Sequence, residues 1–174
     1  MSDTRGIEVR HEHPGDEAAI RRVNDRAFGQ PDESRIVDAV RTSGDTAISL
    51  VAVEGTTVVG HILFTPVSIT SHGPAPRALA LGPMAVSPDL QRQGIGSRLV
   101  EAGLQECGRL GYQVVVVIGH PDFYPRFGFR PGSARGLRSA FDVPDDVFMV
   151  AELTPGVLTG VDGVVRYIPE FGGV

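Results

Sequence analysis

Apolar and polar residues alternate over Ile7–Arg10, the two-residue period of a strand with one covered face. The period then changes. Between Asp16 and Phe28, the residues Ala19, Ile20, Val23 and Ala27 recur at helical spacing, which predicts an amphipathic helix. Pro31 and Asp32 open a second helix reaching about Arg41, with Ile36, Val37 and Val40 on its apolar side. Ile48–Val53 and Thr57–Ile69 read as strands joined in a hairpin at Glu54-Gly55. After a loop rich in proline and glycine (residues 71–76), a strand is expected over Arg77–Val86. Pro83 lies inside it and has no N–H to donate, so pairing should fail locally as a bulge or a splay.

A helix follows from about Gln93 to Leu110, with Ile95, Leu99, Leu104, Cys107 and Leu110 near one face and Gly111 as its stop. Val114–Ile118 is an unbroken apolar run, as in a strand buried on both faces. A short helix is expected over Pro121–Phe127, then strands over Val147–Leu153 and Val164–Ile168 in an antiparallel tail. No repeat, low-complexity tract or long linker interrupts this order. The expected fold class is therefore α/β, a single layered domain of mixed α+β type over residues 1–174.

Composition narrows the chemistry. All 16 basic residues are arginine, which excludes Schiff-base chemistry, catalytic lysine bases and phosphate loops that depend on lysine. The net charge of −5, without an arginine-rich segment, argues against a general nucleic-acid binder. Cys107 is the only cysteine, so no intrachain disulfide can form, and no metal-type Cys/His spacing occurs. His11-Glu12-His13 precedes Pro14 and reads as a solvated polar turn rather than a ligand pair. The segment Met1–Arg5 has no apolar signal region, and no apolar run reaches the ~20 residues that span a bilayer. A cytoplasmic protein without membrane, nucleic-acid or metal partners is expected.

The chemistry concentrates after Val86. Ser87-Pro88-Asp89-Leu90-Gln91-Arg92-Gln93-Gly94-Ile95-Gly96-Ser97-Arg98 is a short loop leading into a helix through two glycines. Glycines bare the backbone N–H groups, and a helix start adds partial positive charge, so the element suits a pyrophosphate. A second signature is Tyr124-Pro125-Arg126-Phe127-Gly128-Phe129.

Gln91–Gly96 and Tyr124–Phe129, in this order around a buried strand, resemble the GNAT superfamily of acyl-CoA-dependent N-acetyltransferases. Its phosphate motif is Q/R-x-x-G-x-G/A, and its later motif is a tyrosine shortly before Gly-Phe. The segment Gly119–Phe129 is similar to a bacterial subgroup of that superfamily, as are Asn24–Phe28 and Val59–Phe64. The resemblance covers roughly residues 7–153. It implies a central, mostly antiparallel sheet flanked by helices, in which the strands ending at Val86 and starting near Val114 form a splayed parallel pair. It also implies acetyl-CoA as co-substrate. Pantetheine would pair with backbone groups of the Met84–Val86 strand end, including Ala85. The pyrophosphate would lie against Gln91, Arg92, Gln93, Gly94, Ile95, Gly96 and Ser97, with Ser97 and Arg98 adding side-chain contacts.

An unknown amine would then attack the thioester directly, with Tyr124 as general acid and His120 as base or cleft residue. The first two helices border the acceptor site in this family, which brings in Phe28 and Glu33; Asp25 there reads as a surface charge. His61 reads as a structural histidine and Cys107 as a core residue. Family members often dimerise through C-terminal strands, so a homodimer is an expectation. Two other readings stay open: a non-catalytic acyl-CoA-binding domain, which would not need Tyr124, and a dinucleotide-binding protein. The G-x-G-x-x-G spacing of the last fails because position 99 is leucine.

Overall fold

A computed structural model describes residues 6–172; the polar segment Met1–Arg5 lies outside them. In chain order the elements are β1 (Ile7–His11), α1 (Glu17–Phe28), α2 (Asp32–Ser43), β2 (Ile48–Glu54), β3 (Thr57–Ser71), β4 (Ala78–Val86), α3 (Ile95–Arg109), β5 (Val114–Ile118), β6 (Arg130–Pro131), β7 (Leu137–Ser139), β8 (Phe148–Glu152) and β9 (Gly163–Arg166). The strands belong to one mixed sheet, flanked by helices. Residues group into two compact units, one comprising the chain up to Phe64 with Pro83–Gly103, the other Thr65–Gly82 with Leu104 onward. β3, β4 and α3 contribute residues to both.

In the first unit β1 pairs antiparallel with β2, and β2 with β3 through the predicted hairpin, Glu54 facing Thr57. A bulge at Ala52/Val53 interrupts the register. α1 buries Ile20, Val23 and Asn24, α2 buries Ser34, Val37 and Val40, and each ends on a glycine with left-handed backbone. Successive residues of β3 show which helix covers which face. A Cβ at Gly60 would come within 3.0 Å of Leu99 of α3 and 3.3 Å of the Ala85 carbonyl. Its neighbour His61 points the other way, to Asn24 of α1.

His61 is fully buried and joins a directional chain of hydrogen bonds. The Asn24 side-chain amide lies 3.4 Å from Nδ1, and Nε2 lies 2.9 Å from the Ser49 hydroxyl. Ser49 donates to Glu12 at 2.7 Å, and Arg41 donates to both Glu12 oxygens. One assignment of protons satisfies all these contacts: Asn24 donates to Nδ1, and neutral His61 donates from Nε2. Burial pushes the imidazole down to about 4, with Glu12 opposing and Arg41 reinforcing the shift. Glu12 corrects the sequence reading: it anchors α2 to the sheet and is not part of a solvated turn. Burial would raise its carboxyl, but the bonds from Arg41 and Ser49 hold it below the usual range.

In the second unit β4 and β5 are parallel, in register from Ala78–Val114 to Leu81–Val117. That register ends there, while β4 runs on through Gly82 and Pro83 to Val86. The break lies where proline predicts it. β5 pairs antiparallel with β8, and β8 with the short β6. Val114, Val116, Phe148, Val150, Leu137, Leu158 and Val165 build the core here.

The tail departs from expectation, because β9 is antiparallel to β3 but parallel to β7. β6 and β7 span two and three residues, too short to display a period. α3 stops at Arg109, which leaves Leu110 exposed rather than on the buried face, whereas Cys107 is core and its thiol is pushed up to about 12 by burial. Ile118 likewise ends the buried run of β5 by facing out.

Candidate functional site

The loop after β4 belongs to the first unit. Pro88–Leu90 form a 3-10 turn, closed by the Leu90 amide on the Ser87 carbonyl at 2.9 Å. Arg92 and Gly94 then take left-handed backbone, φ 63° and 88°. For arginine this conformation costs about 1–2 kcal/mol. Left-handed residues alternating with right-handed ones are the pattern from which anion-binding nests are built, and Arg92 and Gly94 supply two left-handed positions of that kind. Among the described residues, the amides from Gly94 to Ser97 have no protein acceptor; the first helical bond is Arg98 to the Gly94 carbonyl at 3.1 Å. The start of α3 adds its dipole to the same amides.

Two side chains shape this loop in ways the sequence did not disclose. Gln91 donates from Nε2 to the Val86 carbonyl at 3.0 Å. That carbonyl is thus occupied, which narrows the free edge at Met84–Val86; Met84 is half-buried, Ala85 and Val86 buried. Arg98, a candidate phosphate ligand by sequence, donates to the Ile7 carbonyl at 2.7 Å and so ties the edge strand β1 to α3. Gln93 is half-buried, Ile95 is core, and Gly96 and Ser97 are half-buried. Elsewhere in this unit Phe28 is exposed at the end of α1. Glu33 accepts from Gln30 at 3.2 Å, and Asp25 accepts from the Ser34 hydroxyl, so Asp25 is a bonded group between α1 and α2 rather than a solvated charge.

The second signature belongs to the other unit. β5 ends at Ile118; the carbonyl of His120 then accepts from the amides of Phe123 and Tyr124, opening the 3-10 turn Tyr124–Phe127. His120 itself is exposed. Tyr124 is buried, with Phe123 and Phe129 edge-on at centroid distances of 5.0 and 5.6 Å. No partner for its hydroxyl occurs among the described residues. Burial pushes the phenol up to about 12, so it remains a proton donor throughout the neutral range. Gly128 closes the turn with φ 94°, which explains a glycine at that place.

A strand, a nest of free amides opening a helix, a second parallel strand and a tyrosine turn form an ordered set. Residues 8–132 match the acetyltransferase (GNAT) domain family, a span that contains this set. The chain belongs to the GNAT family. It is 36% identical over 153 residues to the uncharacterized N-acetyltransferase YjhQ of Escherichia coli K12, covering 83% of this chain and 84% of that one. To the uncharacterized N-acetyltransferase YhbS of the same strain it is 31% identical over 166 residues, 95% and 96% of the two chains. The crystal structure of YhbS in complex with CoA superimposes with a TM-score of 0.89 at 31% identity, covering 95% of this chain and 91% of that one. A GNAT acetyltransferase of Brucella melitensis in complex with acetyl-CoA follows at 0.78 and 32% identity, covering 95% and 97%. Among the described residues no helix is long and apolar enough to cross a membrane, and no group of histidine, cysteine and carboxylate side chains is arranged for a metal ion.

Proposed function

We propose that this GNAT protein transfers the acetyl group of acetyl-CoA to a primary amine by direct attack in a ternary complex, the whole chain working as one acyltransferase domain. The observation that carries the reading is the run of amides without a protein acceptor, Gly94–Ser97, at the start of α3. Orphan amides at a helix start take water or a ligand as acceptor, and a pyrophosphate supplies the matching charge. The CoA and acetyl-CoA complexes of the two relatives support the same ligand.

In this mechanism the nest fixes the diphosphate and the β4 edge aligns the pantetheine. The thioester then meets a bound amine at an effective molarity that removes several kcal/mol of barrier. A backbone N–H near Val86 stabilises the oxyanion as it forms. Tyr124 protonates the departing thiolate, and His120 is the candidate acceptor for the amine proton. Phe28 and Glu33 are the candidate contacts to the acceptor, through an exposed ring and a carboxylate that suits a cation.

Acetyl-CoA at ten times its Kd is expected to stabilise the protein by about 1.4 kcal/mol, a rise of about 3–5 °C in Tm. NAD at the same concentration should leave Tm unchanged. A panel of amines and proteins incubated with radiolabelled acetyl-CoA tests the transfer itself. Thioester loss that no acceptor accelerates would point to a binding domain instead.

Gly94→Ala is expected to weaken acetyl-CoA binding about tenfold by calorimetry. The methyl group disfavours φ 88° at a cost near 1 kcal/mol and stands against the approaching phosphates. An unchanged Kd in this variant would place the diphosphate elsewhere.

A further inference from the structure

Gly119 follows β5 and opens the segment Gly119–Phe129, but the sequence reading gave it no role of its own. Its φ lies outside the left-handed region, so positive-φ strain does not bar alanine there. Space is the constraint. A Cβ built on Gly119 would stand 2.4 Å from Cε2 of Tyr124, 3.0 Å from Cδ2 and 3.4 Å from Cζ, the carbon that bears the hydroxyl. Carbon atoms in contact settle at about 3.5–4.0 Å, so one of the two groups must move by more than about 1 Å. Neither has an easy path. The Gly119 amide donates to the Val147 carbonyl at 3.0 Å, which pins the backbone to the start of β8. The Tyr124 ring is held edge-on by Phe123 and by the fully buried Phe129. The contrast with Gly128 is instructive: a Cβ there meets nothing within 4 Å, and its φ alone calls for glycine.

We propose that Gly119 is a positioning residue for the acetyl transfer: its missing side chain leaves the room that the Cε2 edge of the Tyr124 ring occupies, and that seat sets where the hydroxyl points. The inference rests on the reading of Tyr124 as the proton donor. A methyl group at 119 pushes the ring aside, and a displacement near 1 Å at a reacting group is enough to cost up to about 10²-fold in rate.

The test uses the full chain as wild type, Gly119→Ala, Tyr124→Phe and the double variant. Turnover of acetyl-CoA is followed with an amine active in the panel, acetyl-CoA binding by calorimetry. The expected result for Gly119→Ala is a fall in kcat of about tenfold, with the acetyl-CoA Kd within about twofold. In the Tyr124→Phe background the same alanine should cost nothing further, because the hydroxyl it misplaces is already gone.

A second measurement needs no acceptor. With only three tyrosines in the chain, ring-labelled tyrosine gives resolved carbon signals, assigned through Tyr124→Phe. Gly119→Ala should shift the Tyr124 signal and leave those of Tyr112 and Tyr167 in place. Should Gly119→Ala prove unstable, Gly119→Ala combined with Tyr124→Leu should recover Tm, since the obstructing ring is absent.

An unmoved Tyr124 signal, an equal kcat loss in both backgrounds, or a double variant no more stable than the single one overturns the proposal. Full kcat in Tyr124→Phe alone overturns instead the role given to Tyr124, while the carbon signal still reports on the seat.

Discussion

Replacing Tyr124 with phenylalanine is expected to lower kcat about 100-fold while the acetyl-CoA Kd stays within about twofold. The substitution deletes one oxygen and keeps the ring, so the edge-on contacts with Phe123 and Phe129 survive and the fold should be unaffected. A loss confined to kcat is the signature of an interaction made in the transition state only. The pH profile gives a second reading. An acid must be protonated to act, and burial pushes Tyr124 up to about 12 from an ordinary value near 10. Activity should therefore show no alkaline decline from this residue between pH 8 and 10. A variant that turns over acetyl-CoA as fast as wild type would remove Tyr124 from the chemistry.

Much of this architecture was legible as pattern. The period of Ile20, Val23 and Val40 placed both early helices, the β-branched run Val114–Val117 gave a strand buried on both sides, and Pro83 marked where β4 leaves its register with β5. The turn into α3 was legible too, since Gly94 and Gly96 stand in a fixed relation to the start of a helix. Other features leave no periodic trace. Strands of two or three residues such as β6 and β7 are held by partners distant in sequence, and the pairing of β7 with β9 could not be read locally.

Side-chain to backbone ties were equally silent. Nothing near Gln91 shows that its amide takes the Val86 carbonyl, and nothing near Arg98 shows that it reaches Ile7, 91 positions away. Arg92 adopts left-handed backbone without being glycine, so composition gave no warning of it. Local physics thus disclosed where the amides would be bare. The bonds of Gln91 and Arg98 to Val86 and Ile7 emerge only when the chain is folded.

Acid is expected to weaken the fold through His61, and the direction follows from linkage. The folded imidazole titrates at about 4, against an ordinary value of 6.5. Above pH 6.5 both states are neutral and the full stability is present. As pH falls, the unfolded chain takes up a proton first, so stability is lost from about 6.5 down to about 4, and this contribution then levels off. A drop of that size corresponds to a loss of about 3 kcal/mol, a large share of the roughly 5–15 kcal/mol available to a domain.

Protonation also breaks the donor order of the chain. Nδ1 would carry a hydrogen facing the Asn24 amide, which already donates to the Ile20 carbonyl. Glu12 and Arg41, the charged groups nearest the ring, act in opposite senses and leave burial as the dominant cause. Glu12 adds a further loss below the ordinary carboxylate range, because its own pKa is depressed by Arg41 and Ser49.

Urea unfolding at pH 7.5, 6.0, 5.0 and 4.0 should show wild-type stability falling in step with this window. His61→Gln keeps an amide able to bond Ser49 but cannot titrate. Its stability at pH 7.5 should be lower, and its slope between pH 6.5 and 4 should flatten by the amount assigned to His61. Parallel slopes for the two proteins would show that the buried imidazole is not the group through which acid acts.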